Sequence, residues 1–195
     1  MRLTDGRTID CDFAVVGVGV TPRVELAETA GLDIDNGVLV SETLETSVAG
    51  IFAAGDVANA DHPFYRRPIR VEHWANALNQ GPAAARSMLG RGEHYERIYE
   101  RLPYFFSDQY DVGMEYTGYA SGEHEVAFRG DPATREFIAF WLERGRVIAG
   151  MNVNVWEVTD RIKGLIRSKQ QVEIHRLTDA DVPFEEVAPL EEDRG

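Results

Sequence analysis

Apolar and polar positions change their rhythm along the chain, and the changes outline its elements. Asp12–Val18 is a continuous, β-branched run that ends in glycines, the pattern of a buried strand. Just ahead of it, Asp5-Gly6 is a hairpin turn signal, so Arg2–Thr4 and Thr8–Cys11 are expected to pair. Val24–Ala30 fits a short helix stopped by Gly31, and Gly37–Val40 and Ile51–Ala54 fit short strands. Trp74–Leu89 carries Ala77, Leu78, Ala84, Ala85, Met88 and Leu89 at helical spacing, with Gly90 as its stop. Pro82 lacks an N–H and crowds the Leu78 carbonyl, so it should bend that helix.

Beyond a charged, turn-rich stretch at 91–103 the pattern becomes that of strands. Gly113–Ala120, Glu125–Gly130, Glu136–Arg144 and Arg146–Val155 are candidates, with Glu143-Arg144-Gly145-Arg146 as the hairpin turn between the last two. Val158, Ile162, Leu165 and Ile166 then mark one face of a helix over about Glu157–Ser168. Phe184–Gly195 is acidic and contains proline, and reads as a poorly ordered tail. The second half is therefore expected to be an antiparallel sheet with one helix against it, an α+β unit.

Composition narrows the class. An apolar share of 44% over 195 residues is too high for a disordered chain and fits one large or two small globular domains. Phe13–Val20 is the longest strongly apolar stretch, far short of a membrane span, and the N-terminus shows no secretory signal. Acidic residues outnumber basic ones 33 to 20, which argues against nucleic acid and anionic membranes as partners. Cys11 is the lone cysteine, so the chain holds neither an internal disulfide nor a CxxC pair, and a reducing, cytoplasmic setting is expected.

Familiar chemical motifs are mostly missing. Gly17-Val18-Gly19 follows an expected strand, but Pro22 stands where a dinucleotide fingerprint needs its third glycine. The five histidines have no metal-ligand spacing, and no GxSxG elbow occurs. The informative run is Ile51-Phe52-Ala53-Ala54-Gly55-Asp56-Val57. There Gly55 clears space for close approach, and Asp56 places a carboxylate at a strand's C-terminal end, where it can accept hydrogen bonds from polyol hydroxyls.

This run resembles the second FAD-contacting motif of flavoprotein reductases with two dinucleotide-binding domains. Asp12–Arg23 resembles the segment in which the NAD domain hands the chain back to the FAD domain. Val71-Glu72-His73-Trp74-Ala75-Asn76-Ala77-Leu78-Asn79-Gln80-Gly81 and Leu102-Pro103-Tyr104-Phe105-Phe106-Ser107-Asp108-Gln109-Tyr110-Asp111 are similar to the NADH-dependent ferredoxin reductases of oxygenase systems. The resemblance implies a partial α/β FAD/NAD-binding segment followed by a C-terminal reductase domain. Its parts would be the tail of the NAD domain (1–20), the second FAD segment (21–95), the C-terminal interface domain (103–183) and the acidic tail (184–195). Neither pyrophosphate loop of the family is found within these residues. The chain is accordingly expected to hold no cofactor by itself and to be inactive alone, with apolar faces around Val15, Ile51 and Leu78 left without cover.

By resemblance, Asp56 would bind the ribityl chain of FAD, with Gly55 and Val57 at the same turn and Trp74 along the flavin's pyrimidine edge. Glu72 and Phe106 would face the nicotinamide of NAD(H), and Gly17 and Gly19 would let the backbone pass close to NAD. Phe106 stands where many relatives carry tryptophan, so the indole N–H is lost there. The family implies electron transfer from NADH through FAD to a ferredoxin-type iron–sulfur protein or rubredoxin. Arg66, Arg67 and Arg70 cluster in an otherwise acidic chain and are candidate docking cations for such a partner. Two other readings stand beside this one. One is a stand-alone interaction or dimerisation module that forms a homo-oligomer, and the other is a portion of an apoptosis-inducing-factor-like NADH oxidoreductase.

Overall fold

The computed structural model describes residues 1–187. Two sheets organise them. The smaller contains β1 (Val38–Val40), β2 (Ala58–His62) and β3 (Arg67–Arg70), in that order, with β1 parallel and β3 antiparallel to β2. Helix α1 (Glu25–Thr29) precedes β1, and helix α2 (Trp74–Met88) follows β3 and runs through Pro82. Val38, Val40, Ala58, Ala60, Ala83 and Ala84 form the shared core of sheet and helix. The alanines on α2 let its backbone lie close to the strands. Helix α3 (His94–Arg97) opens with a capping box between Glu93 and Glu96 and leads into the second unit.

That unit is a five-stranded antiparallel sheet in the order β4-β5-β8-β7-β6. Its strands are β4 (Tyr104–Gln109), β5 (Val112–Gly118), β6 (Glu125–Asp131), β7 (Glu136–Glu143) and β8 (Arg146–Val153). Strands β7 and β8 carry most of the sheet's buried residues, and α4 (Thr159–Ser168) lays Ile162, Leu165 and Ile166 against the sheet. Helix α5 (Ile174–Thr178) covers the β6 edge with Leu177. Gly150 on β8 has an ordinary strand conformation, but a Cβ there would lie 2.6 Å from Ile162 Cγ2. The glycine is thus what allows α4 to seat on the sheet.

Several expectations are corrected. Residues 12–18 form no strand, and Phe13, Val15, Val16 and Val18 are 75–90% exposed, because no strand among the described residues runs beside them to complete a ladder. Ile51–Ala54 is reduced to a single bridge between Phe52 and Glu45 for the same reason. The expected N-terminal hairpin survives as one bridge, Arg2 to Thr8. The tail does not begin at Phe184. Phe184 and Val187 are buried in the C-terminal core, and the Arg129 guanidinium sits 4.7 Å over the Phe184 ring. Residues 188–195 of that tail lie outside the described residues. Leu78 and Ile51 are 56% and 39% exposed.

The two units are not independent beads. Phe64 and Tyr65, at the tip of the β2–β3 hairpin, pack against the core of the C-terminal sheet. Tyr65 lies 5.7 Å from Tyr119, and Lys169 donates to the Phe64 carbonyl at 3.3 Å. Behind the hairpin, buried His62 faces the Arg101 carbonyl through Nε2 at 3.0 Å.

Candidate functional site

Gly55, Asp56 and Val57 form one turn of 3-10 helix between extended Ala54 and β2. Gly55 has φ +79°, a left-handed conformation that strains any side-chain-bearing residue. A Cβ there would meet Ala77 at an ordinary 3.5 Å, so conformation rather than space demands the glycine. The buried Gly55 N–H donates to Gln80 Oε1 of α2 at 2.8 Å, which fixes the turn to the helix. Asp56 follows with its carboxylate exposed.

Arg70 braces this turn from below. Its guanidinium donates to the Asp56 carbonyl at 3.1 Å and to Asn36 Oδ1 at 3.3 Å, and pairs with Glu72. Only 11% of the Arg70 side chain is exposed, so Arg70 is a strut linking Asp56 to Glu72. Gly37 leaves room for it: a Cβ there would lie 2.6 Å from the Val57 carbonyl oxygen and 2.8 Å from Arg70 Cδ.

Beyond the strut, α2 and β4 enclose an apolar concavity of about 320 Å³, lined by Glu72, His73, Trp74, Ala75, Phe105 and Phe106. Trp74, the first residue of α2, is 72% exposed, and Phe106 is 54% exposed. Large rings this open on the wall of a cavity offer faces on which a flat group can stack. Phe105 is held from behind, stacked on Tyr116 at 5.1 Å, which in turn meets Trp141 edge-on. His73 is half-buried with its ring 4.7 Å from Phe105, and its Nδ1 is sealed without a partner among the described residues. Burial lowers the His73 pKa, against the opposing pull of the Asp56 and Glu72 carboxylates, and so favours the neutral ring.

A network fixes β4 from its other side. Glu115 accepts from Tyr104 at 2.7 Å, Asn152 at 3.0 Å and Thr159 at 2.8 Å. Burial alone would raise the Glu115 pKa, but these three donors outweigh it and hold the carboxyl below its usual value. The Tyr104 phenol is pushed up to about 12 by its own burial and by this bond to Glu115.

The structure thus brings Gly55, Asp56, Glu72, Trp74 and Phe106 into one region. Gly17 and Gly19 are not part of it; both are exposed, with nothing within 4 Å of an added Cβ. Arg66 and Arg67 are exposed at the β2–β3 hairpin. The Arg67 guanidinium lies 5.2 Å over Tyr119 and lines a second concavity, of about 360 Å³, with Arg146 and Lys169. Sequence reasoning missed His73, Arg146 and Lys169. The first was visible only as part of the Glu72–Trp74 run, and the other two come from the distant C-terminal unit, Arg146 from β8 and Lys169 from the end of α4.

Two family models match the chain: pyridine nucleotide-disulphide oxidoreductase over residues 1–81 and the reductase C-terminal family over 104–188. The ferredoxin–NAD(+) reductase component of an anthranilate 1,2-dioxygenase system from Burkholderia cepacia is 37% identical over 92% of this chain and 43% of its own length. Putidaredoxin reductase from Pseudomonas putida is 34% identical over 94% of the chain and 42% of its own. The two models together span most of the chain, and the relatives that match along it are ferredoxin reductases. A solved covalent complex of putidaredoxin reductase with putidaredoxin superposes with a TM-score of 0.83 at 34% identity, over 94% of this chain and 43% of that one. A ferredoxin reductase from Rhodopseudomonas palustris gives 0.82, over 96% of this chain and 46% of that one. The chain therefore spans less than half the length of the reductases it matches. Among the described residues, no helix is long and apolar enough to cross a membrane, and no cluster of metal-ligating side chains occurs.

Proposed function

We propose that this chain forms the flavin's ribityl and pyrimidine side, and the nicotinamide-facing C-terminal wall, of an NADH-dependent, FAD-containing ferredoxin reductase. The observation that carries the reading is the open aromatic concavity of Trp74 and Phe106 beside the exposed Asp56 carboxylate. The residues fit FAD: a carboxylate free to accept from ribityl hydroxyls and an uncovered indole face. When bound, FAD supplies the hydride-accepting and one-electron chemistry of the reaction. Asp56 would fix the ribityl chain, with Gly55 and Val57 shaping the turn beneath it. Glu72 and Phe106 would position the nicotinamide and exclude water, and Gly17 and Gly19 would line the NAD path.

Electron delivery would use the basic face. Arg66 and Arg67 are its exposed cations, with Arg70 anchoring the strand that carries them, and Arg146 and Lys169 extend it around the second concavity. Such a local positive field in a chain of net charge −13 would steer an acidic ferredoxin to this face.

The test is a chimera that joins the N-terminal portion of the Burkholderia reductase to this chain. It is expected to retain FAD through gel filtration and to reduce ferricyanide with NADH, while the chain alone is colourless and inactive. Asp56→Ala in the chimera should weaken FAD retention about tenfold, the loss of roughly one charge-assisted contact. A chimera that is folded by circular dichroism but binds no flavin would overturn the proposal.

A further inference from the structure

Where α2, the 98–103 linker and α4 converge, a separate cavity of about 170 Å³ opens, and the electron-transfer reading makes no use of it. Arg101 reaches it from the linker, Lys163 and Arg167 from α4, and Ala75 and Asn79 from α2, with the Tyr104 ring as one wall. Three cations and no carboxylate line it, in a chain whose acidic residues outnumber its basic ones by 33 to 20.

The chemistry of the lining is one-sided. Lys163 and Arg167 are four residues apart on the same helix face, a like-charge pair that repels. Lys163 pairs with Asp160, whose carboxylate is 94% exposed and does not line the cavity, and it lies 5.4 Å over the Tyr104 ring. Arg101 and Arg167 have no carboxylate partner among the described residues. The Tyr104 hydroxyl is committed to Glu115, and the Tyr99 hydroxyl to Asn76. Asn79 spends one amide N–H on the Ala75 carbonyl at 2.6 Å and keeps the other. What remains is a set of donors: two guanidiniums, an ammonium and an amide N–H.

Donors from three segments around a small void suit a compact, highly charged acceptor. The volume lies below the roughly 300 Å³ at which pockets begin to hold whole drug-sized ligands, so only an inorganic-sized group enters. We propose that this cavity is a binding site for a phosphate-type oxyanion, either free phosphate or the phosphate end of a larger ligand. Occupancy relieves the Lys163–Arg167 repulsion and ties α2, the linker and α4 together, so it stabilises the junction between the two units.

The test is calorimetric titration of the purified chain with inorganic phosphate and, separately, with ADP, at constant ionic strength balanced with chloride. Saturable phosphate binding is expected, and Arg101→Gln/Arg167→Gln should weaken it at least about tenfold. Lys163→Gln should weaken it in the same direction and serves as the second variant if the double substitution unfolds. Arg91→Gln/Arg144→Gln, which removes equal charge from exposed loops, should leave binding within about twofold. ADP binding about tenfold tighter than phosphate assigns the site to a phosphate end group, and equal binding assigns it to free phosphate. No saturable phosphate binding up to about 20 mM, or equal losses in the cavity and control variants, would overturn the proposal.

Discussion

Replacing Gly150 by alanine probes the contact that seats α4 on the C-terminal sheet. The added methyl would lie 2.6 Å from Ile162 Cγ2 and 3.5 Å from Cδ1, with Ala139 O at 3.6 Å on the other side. Gly150 pairs with Thr117 and Phe140 in the middle of the sheet, so its backbone has no room to retreat. Overpacking of this kind costs about 1–3 kcal/mol. Ile162 is fully buried, and Ile162→Ala alone should cost about 2–5 kcal/mol. In the double variant the methyl at 150 occupies part of the space that Cγ2 vacates. The two losses should therefore fall short of additivity by at least about 1 kcal/mol, roughly the overpacking relieved plus one recovered methylene contact. Urea denaturation followed by far-UV circular dichroism measures all four corners of the cycle. Additivity within about 0.5 kcal/mol would show that Ile162 is not what keeps position 150 a glycine.

Two further outcomes follow from buried polar groups. Gln80→Leu leaves the buried Gly55 N–H without its acceptor and should cost about 1–3 kcal/mol, with faster amide exchange at Gly55; a variant as stable as the parent would show that α2 does not hold the Asp56 turn. Burial lowers the His62 pKa below 6.5, despite the Arg101 carbonyl and Glu100, which raise it, so the unfolded chain binds the proton more readily than the folded one. Stability drawn from neutral His62 is thus present above the unfolded value and declines as pH falls below about 6.5 towards the lowered folded value. His62→Gln should flatten the fall of the urea midpoint between about pH 6.5 and 5, and an unchanged slope would refute this role.

Local chemistry was readable and partnership was not. The β7–β8 hairpin follows from Glu143-Arg144-Gly145-Arg146 between two apolar runs, and α4 from a four-residue apolar stripe, because each needs only its own residues. Residues 12–18 have the composition of a buried strand, but a strand requires a neighbour, which composition does not reveal. In the opposite direction, the pattern of apolar positions gives no strand signal over β2 and β3. The Ala58–His62 segment has an asparagine and an aspartate within it, and Arg67–Arg70 contains Pro68, which an edge strand tolerates. The same limit applies to the site. Asp56 and Trp74 stand out in continuous motifs, whereas the inward turn of Arg70 depends on Asn36 and Gly37, more than thirty residues away.

The insertion of Phe64 and Tyr65 into the C-terminal core bears on how such reductases can exchange parts. By composition, 91–103 is the obvious seam, and a crossover there would transfer the five-stranded sheet as a cassette. The cassette would then meet a hairpin tip shaped for another parent, although Tyr65 is fitted to Tyr119, Phe64 to Lys169, and His62 to the Arg101 carbonyl. A transferable unit is therefore discontinuous in sequence: residues 62–65 belong with the sheet they pack against, and a graft that ignores this leaves that contact unmatched.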